Sequence, residues 1–570
     1  MSALLIMVVS FIGYILMYKF YGRFIGSRIF KLKEGTKVPA KEFEDGVDFV
    51  PTKKEIIFGH HYTSIAGTGP IVGPAIAIIW GWVPALIWIF VGSIIMGAVH
   101  DFGSLVISMR NQGKSISEYT GKYISPRTRF LFFLVVFLEL WIVIAVFAMV
   151  IAIIFQLYPA SVFPVWMEIP IAMLLGYMVY KKGANITIWS IVAIIAMYVT
   201  VIIGVFFPIN MGTVMGIPPI GVWAIILLVY AFIASILPVT TLLQPRDYIN
   251  SHELLVAMSL LVIGVFVSAF SGRLDLVAPA VQMHPAAAPP MWPFLFITIA
   301  CGAISGFHSL VSSGTTSKQV SDESDALFVG YGSMLMEGAL ATLVVIAVAA
   351  GIGMGYVKDG ITLTGINAWT THYSSWAAAA GLGSKLDAFV RGSANMIAAV
   401  GIPAKWALAI MGVFVASFAG TTLDTATRIQ RYVVSELFLD LKVKIFRNRY
   451  FSTFVVVLTA ALLTFATGAD GKGALKLWPL FGAVNQTLAA LALIVITLYL
   501  RKRGKRGWLV AGLPAVFMSF MTIWATVMNQ SSFMKSGNAL LYIVNAIVII
   551  IVVAIVIEGI IAFFRIKTEE

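Results

Sequence analysis

Runs of about twenty apolar residues, separated by short polar segments, recur from one end of this 570-residue chain to the other and leave no stretch for a sizeable soluble domain. Each run can cross roughly 30 Å of hydrocarbon at about 1.5 Å of helix rise per residue. Sixty per cent of the residues are hydrophobic and 11% are charged, whereas a soluble domain averages about 45–50% and 25%. The bilayer is therefore the solvent for most of the surface. A helix satisfies its own backbone there, so the fold class is an all-α polytopic membrane protein.

The apolar pattern predicts about fifteen transmembrane helices. An anchor covers Met1 to Phe20, and Lys19, Arg23, Arg28, Lys31 and Lys33 follow it. Fourteen spans come next, at about 56–80, 82–109, 128–157, 163–181, 185–207, 219–243, 254–272, 292–317, 326–351, 403–427, 452–468, 474–500, 507–529 and 538–564. They divide into an anchor and loop (1–55), a core of ten spans (56–432) and accessory helices (433–570).

Charge tests this count. If the N-terminus is outside, every second loop lies in the cytoplasm, and those loops with their flanks hold 31 of the 39 Lys and Arg residues, as membrane orientation requires. The formal charge of +13 is thus spread along the chain and forms no nucleic-acid patch. The reading is a multi-pass protein of a prokaryotic cytoplasmic membrane, N-terminus outside and C-terminus inside. One cysteine, Cys301, excludes an intramolecular disulfide framework, and no Cys/His spacing resembles a zinc site. No metal or cofactor is expected beyond a transported H⁺ or Na⁺. The long outer segment at about 351–404 reads as an external helix or a re-entrant cap.

Irregular backbone survives at membrane depth only where protein or a water-filled cavity satisfies it. The span at 56–80 contains Gly67-Thr-Gly-Pro70 at its expected midpoint, with Pro74 one turn on. Glycine permits non-helical torsions and proline removes an amide donor, so this helix should break. The half-helix beyond it presents free amides and a positive dipole end, which suits a carboxylate. The span at 219–243 carries Pro238 and Pro245 among hydroxyls, and the span at 292–317 is too polar to face lipid. Counting from the first break, these are the sixth and eighth spans. Transporters of the LeuT/APC type, built from two inverted five-helix repeats, have that spacing, which places repeats at about 56–207 and 219–427. Candidate solute ligands are Ala66, Gly67, Thr68, Gly69, Pro70, Ser235, Thr240, Ser305, Phe307 and His308. A coupling cation would sit among Ala66, Gly69, Ser312, Ser313 and Thr316.

Ionisable groups inside a span call for a reason, since each costs roughly 2.5–3.5 kcal/mol on insertion scales. His60 and His61 share a depth with His100 and Asp101, so the two sets could meet and carry protons. Glu139 and Glu337, near mid-depth, are further carriers. His308, Asp424 and Glu558 read as structural partners. Arg246, Asp247, Arg428 and Arg431 read as solvated interface anchors, with ion pairs of a cytoplasmic gate as the alternative, and Arg501 to Arg506 as an orientation signal for anionic lipid.

At these motifs the chain resembles the carbon starvation protein A family of bacterial and archaeal membrane transporters. The resembling segments are Phe58-Gly-His-His-Tyr-Thr-Ser-Ile-Ala-Gly-Thr-Gly-Pro-Ile-Val-Gly-Pro74, Val99-His-Asp-Phe102, Leu242-Leu-Gln-Pro-Arg-Asp-Tyr248, Ile299-Ala-Cys-Gly-Ala-Ile-Ser-Gly-Phe-His308 and Ser312-Ser-Gly-Thr-Thr316. The resemblance implies peptide uptake when carbon is scarce, or proton-coupled pyruvate uptake, and both solutes end in a carboxylate. The expected function is a secondary transporter importing a small carboxylate-bearing solute by alternating access, most simply short peptides. Pyruvate, another 2-oxo acid or an amino acid is the alternative. A metal-dependent membrane enzyme or a channel is a weaker reading, since HExxH, GxSxG and paired catalytic aspartates are all missing.

Overall fold

The computed structural model describes residues 2–504 and 506–566. Met1, Lys505 and Lys567, which entered the topology above, lie outside the described residues. The helices that matter below are α1 (Ser2–Met17), which runs on through wide turns to Ile29; α2 (Lys54–Ala66); α3 (Gly69–Ala77); α4 (Trp82–Met109); α5 (Pro126–Leu157); α6 (Pro159–Lys181); and α7 (Ile186–Phe206). They continue with α8 (Pro219–Ile236), α9 (Leu243–Phe270), α10 (Met291–Thr298), α11 (Gly306–Gly314), α12 (Glu323–Met354) and α13 (Leu382–Ala398). The last are α14 (Ala404–Leu439), α15 (Arg449–Thr464), α16 (Trp478–Arg503), α17 (Leu509–Lys535) and α18 (Ala539–Arg565).

Local chemistry sets many of these ends. Ser125 caps α5, with Pro126 in its first turn, and Asn185, Asn448 and Asn538 accept the first amides of α7, α15 and α18. Among the described residues twelve helices are long and apolar enough to span a bilayer, thirteen if the bent pair α2/α3 is one span. The two other spans expected from sequence fall on α15, which has 16 residues, and on the interrupted pair α10/α11.

Burial separates core from periphery. The most apolar stretches of α12 and α16 are 94% buried in protein, whereas that of α1 is 22% buried and lies on the periphery of the bundle. The division at residue 433 does not follow packing: it cuts α14 in two, and α16, placed among accessory helices, lies in the core against α4, α5 and α11. The anchor is also longer than expected, since Lys19, Arg23 and Arg28 ride on continuous helix.

The region 219–272 departs most from the sequence reading. The helix expected to break near Pro238 is two helices, α8 and α9, joined by the connection 237–242, and α9 begins eleven residues earlier than hydropathy placed it. The charges at its start are neutralised in buried pairs, which a hydropathy scale cannot register.

Helix ends gather on two faces. The basic side carries the loop 43–53 and the ends of α4, α11 and α14. The cap side carries the segment 351–403, which forms a two-stranded hairpin (Tyr356–Lys358 with Ile361–Leu363), short helices at Gly365–Tyr373 and Trp376–Ala379, and α13. This cap is docked, since α13 packs on α3, α9 and α14 and the Tyr373 hydroxyl donates to the carbonyl of Ala75.

Candidate functional site

Two helix interruptions face each other in the middle of the bundle. In the first, α2 ends at Ala66, Gly67 takes φ +37° and ψ −145°, and α3 restarts at Gly69 with Pro70 in its first turn; the two axes differ by 40°. A β-carbon at Gly67 would collide with Thr422 Oγ1 and press on Phe147, so both torsion and space require glycine there. In the second, seven residues from Ile299 to Ser305 separate α10 from α11, and Gly302 holds φ +89°. The breaks touch: a β-carbon at Gly69 would overlap Cys301, one at Gly73 would lie 2.6 Å from the carbonyl oxygen of Thr298, and Gly302 abuts Pro70. Asn485 of α16 holds the second break open, accepting the Phe307 amide at 2.9 Å and bonding Ser305 Oγ.

Above the breaks lies a cavity of about 570 Å³. Thr68, Gly69, Ala300 and Cys301 form its floor, α5 contributes Val146, Phe147 and Val150, and it reaches the cap side at Trp376, Trp478 and Phe533. Its lining holds no Lys, Arg, His, Asp or Glu. In the first turn of α3, Pro70 carries no amide and the Ile71 and Val72 amides bond the Thr68 carbonyl, so the polar group this helix start offers to a largely apolar chamber is the Gly69 amide.

Below the breaks the molecule is closed by charge. Arg246 Nε bonds Glu168 at 3.0 Å, and its Nη1 bonds Asp424 at 2.5 Å and the Tyr230 hydroxyl at 2.6 Å. Ser417 donates to Glu168 at 2.9 Å. Asp247 lies 2.5 Å from His60 Nδ1. Nearer the basic surface, Asp48 binds Arg428 at 2.7 Å and Arg431 at 3.5 Å, while Arg110 binds Glu323 at 2.6 Å. Burial alone would raise the Asp48 carboxyl, but Arg428, Arg431 and Lys318 outweigh it and hold it at about 2.

A second buried cluster flanks the breaks. His100 Nδ1 meets Asp101 Oδ1 at 2.7 Å, Asp101 Oδ2 meets His308 Nδ1 at 2.9 Å, and His308 Nε2 lies 3.3 Å from Glu337 Oε2. Glu337 Oε1 accepts the Gly302 amide at 3.0 Å. Cys301 joins this group, with its sulfur near both His308 and Glu337.

The family model for carbon starvation protein CstA matches residues 2–525. The peptide transporter CstA of Campylobacter jejuni is 33% identical, with 94% of this chain and 81% of that protein covered. The Bacillus subtilis peptide transporter CstA is 33% identical, with coverage of 92% and 90%. The pyruvate/proton symporter BtsT of Escherichia coli K12 is 32% identical, with coverage of 92% and 81%. The chain belongs to the carbon starvation protein CstA family. Its curated relatives are transporters, and this chain is a multi-pass membrane transporter rather than an enzyme. A manganese transporter from Eremococcus coleocola, solved as a point variant, shares the fold alone: TM-score 0.50 at 14% identity, covering 92% of this chain and 99% of that one.

Within this family fold, the structure gathers some of the sequence-predicted residues and disperses others. Ala66 to Pro70 form the first break as expected. Ser305, Phe307 and His308 belong to the second break and the helix that follows it. Ser235 and Thr240 do not reach the cavity. They lie on the basic side, where the carbonyls of Ala234 and Leu237 accept from Arg428 and the Val239 amide bonds Val47. The expected cation cage is not assembled either. Ser313 donates to Ser309 O and accepts the Ile116 amide, Thr316 meets His61 Nδ1 at 2.9 Å, and Ser312 has no partner. The hydroxyls that do reach the last turn of α2 come from α14: Thr422 lies 3.3 Å from Ser64 O and Thr425 lies 3.1 Å from Ser64 Oγ.

The hydrogen bonds sort the histidines differently. His60 pairs with Asp247 and His61 with Thr316, whereas Asp101 joins His100 to His308, and His61 stays within electrostatic reach of Asp101 and His308. Both His60 and His61 are fully buried, as are Arg246, Asp247, Arg428 and Arg431, so none of these is a solvated anchor. Glu139 is buried with both carboxylate oxygens unpartnered, and Glu558 bonds Ser125 and Thr128 beside Arg127. Residues missed from sequence are Glu168, Thr422, Thr425 and Asn485. Asn485-Gln-Thr487 inside an otherwise apolar span was the one signal that could have flagged α16.

Proposed function

We propose that this chain imports short peptides, driven by protons, across the cytoplasmic membrane of a prokaryotic cell, with its cap side outside. The observation that carries this reading is the pair of facing helix breaks at the floor of a chamber that reaches the cap side. A peptide carboxylate meets the Gly69 amide at the start of α3, and no basic side chain competes for it. The volume, about 570 Å³, lies in the range of roughly 300–1,000 Å³ that holds drug-sized ligands, which suits a di- or tripeptide better than a three-carbon acid. The aromatic wall suits apolar peptide side chains. The C. jejuni and B. subtilis relatives named as peptide transporters, and the proton symporter BtsT, support the solute class and the coupling ion.

Alternating access follows if α2/α3, α4, α5, α8 and α9 form one five-helix repeat and α10/α11, α12, α14, α15 and α16 form the other. The hairpin α6–α7 is then an insertion. Each repeat opens on a broken helix, and the third helices of the two, α5 and α14, pack along their lengths. Glu139 lies on the same stripe of α5 as Val146 and Val150, two turns below the chamber, by 3.6-residue periodicity. An unpaired ionised carboxylate is costly there and a proton removes that cost, so Glu139, with the His60–Asp247 pair, is the coupling route.

The test is uptake of a labelled dipeptide into proteoliposomes under an inward proton gradient. Uptake should saturate, should collapse with a protonophore, and should vanish in Gly69→Leu protein that still purifies as a monodisperse species. Normal uptake by that variant sinks the carboxylate site. Saturable uptake of pyruvate that dipeptides fail to inhibit moves the assignment to the smaller acid.

A further inference from the structure

The cluster beside the second break has the construction of a metal site. One donor atom each from Cys301, His308 and Glu337 lies within 4.8 Å of the other two, and all three residues are buried. His308 Nε2 and Glu337 Oε2 are 3.3 Å apart, yet neither has a hydrogen-bond partner. That separation is an ion pair when His308 is protonated and one edge of a coordination shell when it is neutral, and the Cys301 thiol meanwhile donates to Ser305 Oγ at 3.3 Å. A tetrahedral ion with bonds of about 2.0–2.1 Å to nitrogen and oxygen sets those two donors roughly 3.3 Å apart.

The outer contacts fit the same purpose. Asp101 Oδ2 takes His308 Nδ1 at 2.9 Å, which leaves Nε2 as the free ligand atom, and the Gly302 amide holds Glu337 Oε1 at 3.0 Å, which leaves Oε2 free. A carboxylate behind a histidine and a hydrogen bond behind a carboxylate are the usual supports of first ligands. An entry path exists too, because Cys301 lies on the chamber floor next to Gly69.

We propose that Cys301, His308 and Glu337 bind one divalent transition metal of the zinc class, with a fourth coordination position open to the chamber. A sulfur, nitrogen and oxygen donor set suits Zn²⁺ and its borderline neighbours and disfavours Mg²⁺ and Ca²⁺. On binding, the Cys301 thiol gives up its proton to water in the chamber and the sulfur becomes the third ligand. The open position takes a carboxylate or peptide carbonyl oxygen of the solute, a step that rests on the chamber being the solute site. Sequence motifs could not show this, since the ligands lie seven and thirty-six residues from Cys301 and come from two helices and a break.

Cobalt(II) tests the proposal on full-length protein, purified in detergent and stripped with chelator. One equivalent of Co²⁺ should give intense tetrahedral d–d absorption and a sulfur-to-cobalt charge-transfer band, both bleached by Zn²⁺. Cys301→Ser should lose the charge-transfer band, and His308→Gln should weaken binding at least tenfold. Glycylglycine should shift the d–d bands of the wild-type protein. Absorption no stronger than that of aqueous Co²⁺, or a spectrum unchanged in both variants, overturns the site and makes the cluster a histidine held between two carboxylates. Metal-stripped protein that still shows saturable peptide uptake separates the two readings: the transporter assignment then stands with the ion dispensable to it. A well-formed cobalt spectrum without any peptide uptake leaves the metal site standing and removes the solute assignment.

Discussion

The two halves of the membrane depth are built from opposite materials. Toward the cap, the space above the helix breaks is an open chamber with aromatic walls and no ionisable side chain except Cys301. Toward the basic side, the same bundle is packed shut around interlocked charges, with Arg246 between Glu168 and Asp424, Asp247 on His60, and Asp48 on Arg428 and Arg431. Apolar walls close by contact and reopen with little directional penalty. Buried ion pairs hold one geometry, because separating them exposes uncompensated charge. The structure is therefore that of a transporter open on one side and locked on the other, with the lock made of groups that water can solvate once they part.

That contrast can be broken by substitution. Arg246→Ala should have the largest effect, on the order of 3–5 kcal/mol, because it strands two buried carboxylates. The readout is thermal unfolding in detergent, and the triple change Arg246→Met, Glu168→Gln, Asp424→Asn should recover much of the loss. A melting temperature that ignores Arg246→Ala would mean that the charges do not form the lock.

Asp48→Asn comes next, at about 2 kcal/mol, from a carboxyl held at about 2 against an ordinary 3.8. The sign follows from the depressed value: the ionised group contributes fully above pH 3.8 and its contribution fades as pH falls through 3.8 toward 2. The variant should thus differ from wild type at neutral pH and converge with it in acid. The same variant should increase labelling of a cysteine placed on the basic side at the α8–α9 connection.

On the chamber side the effects should be on solute rather than stability. Trp478→Ala should raise the half-saturation concentration for peptide about tenfold, roughly 1.4 kcal/mol, with little change in melting temperature. The smallest effect belongs to Lys472, which faces Asp470 across 3.6 Å on the cap side with both side chains substantially exposed. Lys472→Ala should leave both melting temperature and uptake unchanged, since solvated pairs contribute little. A measurable loss there would erase the distinction between the two sides.

Most of the helix layout and the first break were legible in the chain, because apolar run length, basic loops and the Gly67-Thr-Gly-Pro70 segment are local properties. The partner of the first break was less sharply placed. Pro238 and Pro245 mark a connection and a helix start, whereas the interruption facing Gly69 lies at Ile299 to Ser305, in the span at 292–317 that was read as too polar to face lipid. For Arg246 and Asp247 the alternative of gate ion pairs fits the structure better than solvated anchors, since a residue's cost in a bilayer depends on a partner that no local window contains.

By itself, then, the sequence determined that this protein is a helical bundle in a bilayer, which way its basic loops alternate, and that its first core helix unwinds at mid-depth. These follow from backbone hydrogen bonding and torsional freedom, which each short stretch of chain carries alone. Only the tertiary structure decided which helix supplies the opposing break, that Glu168 and Asp424 enclose Arg246, and that Cys301 meets His308 and Glu337. Those are encounters between residues tens to hundreds of positions apart, and the energy of a buried charge, a buried hydroxyl or a ligand atom is set by what it meets.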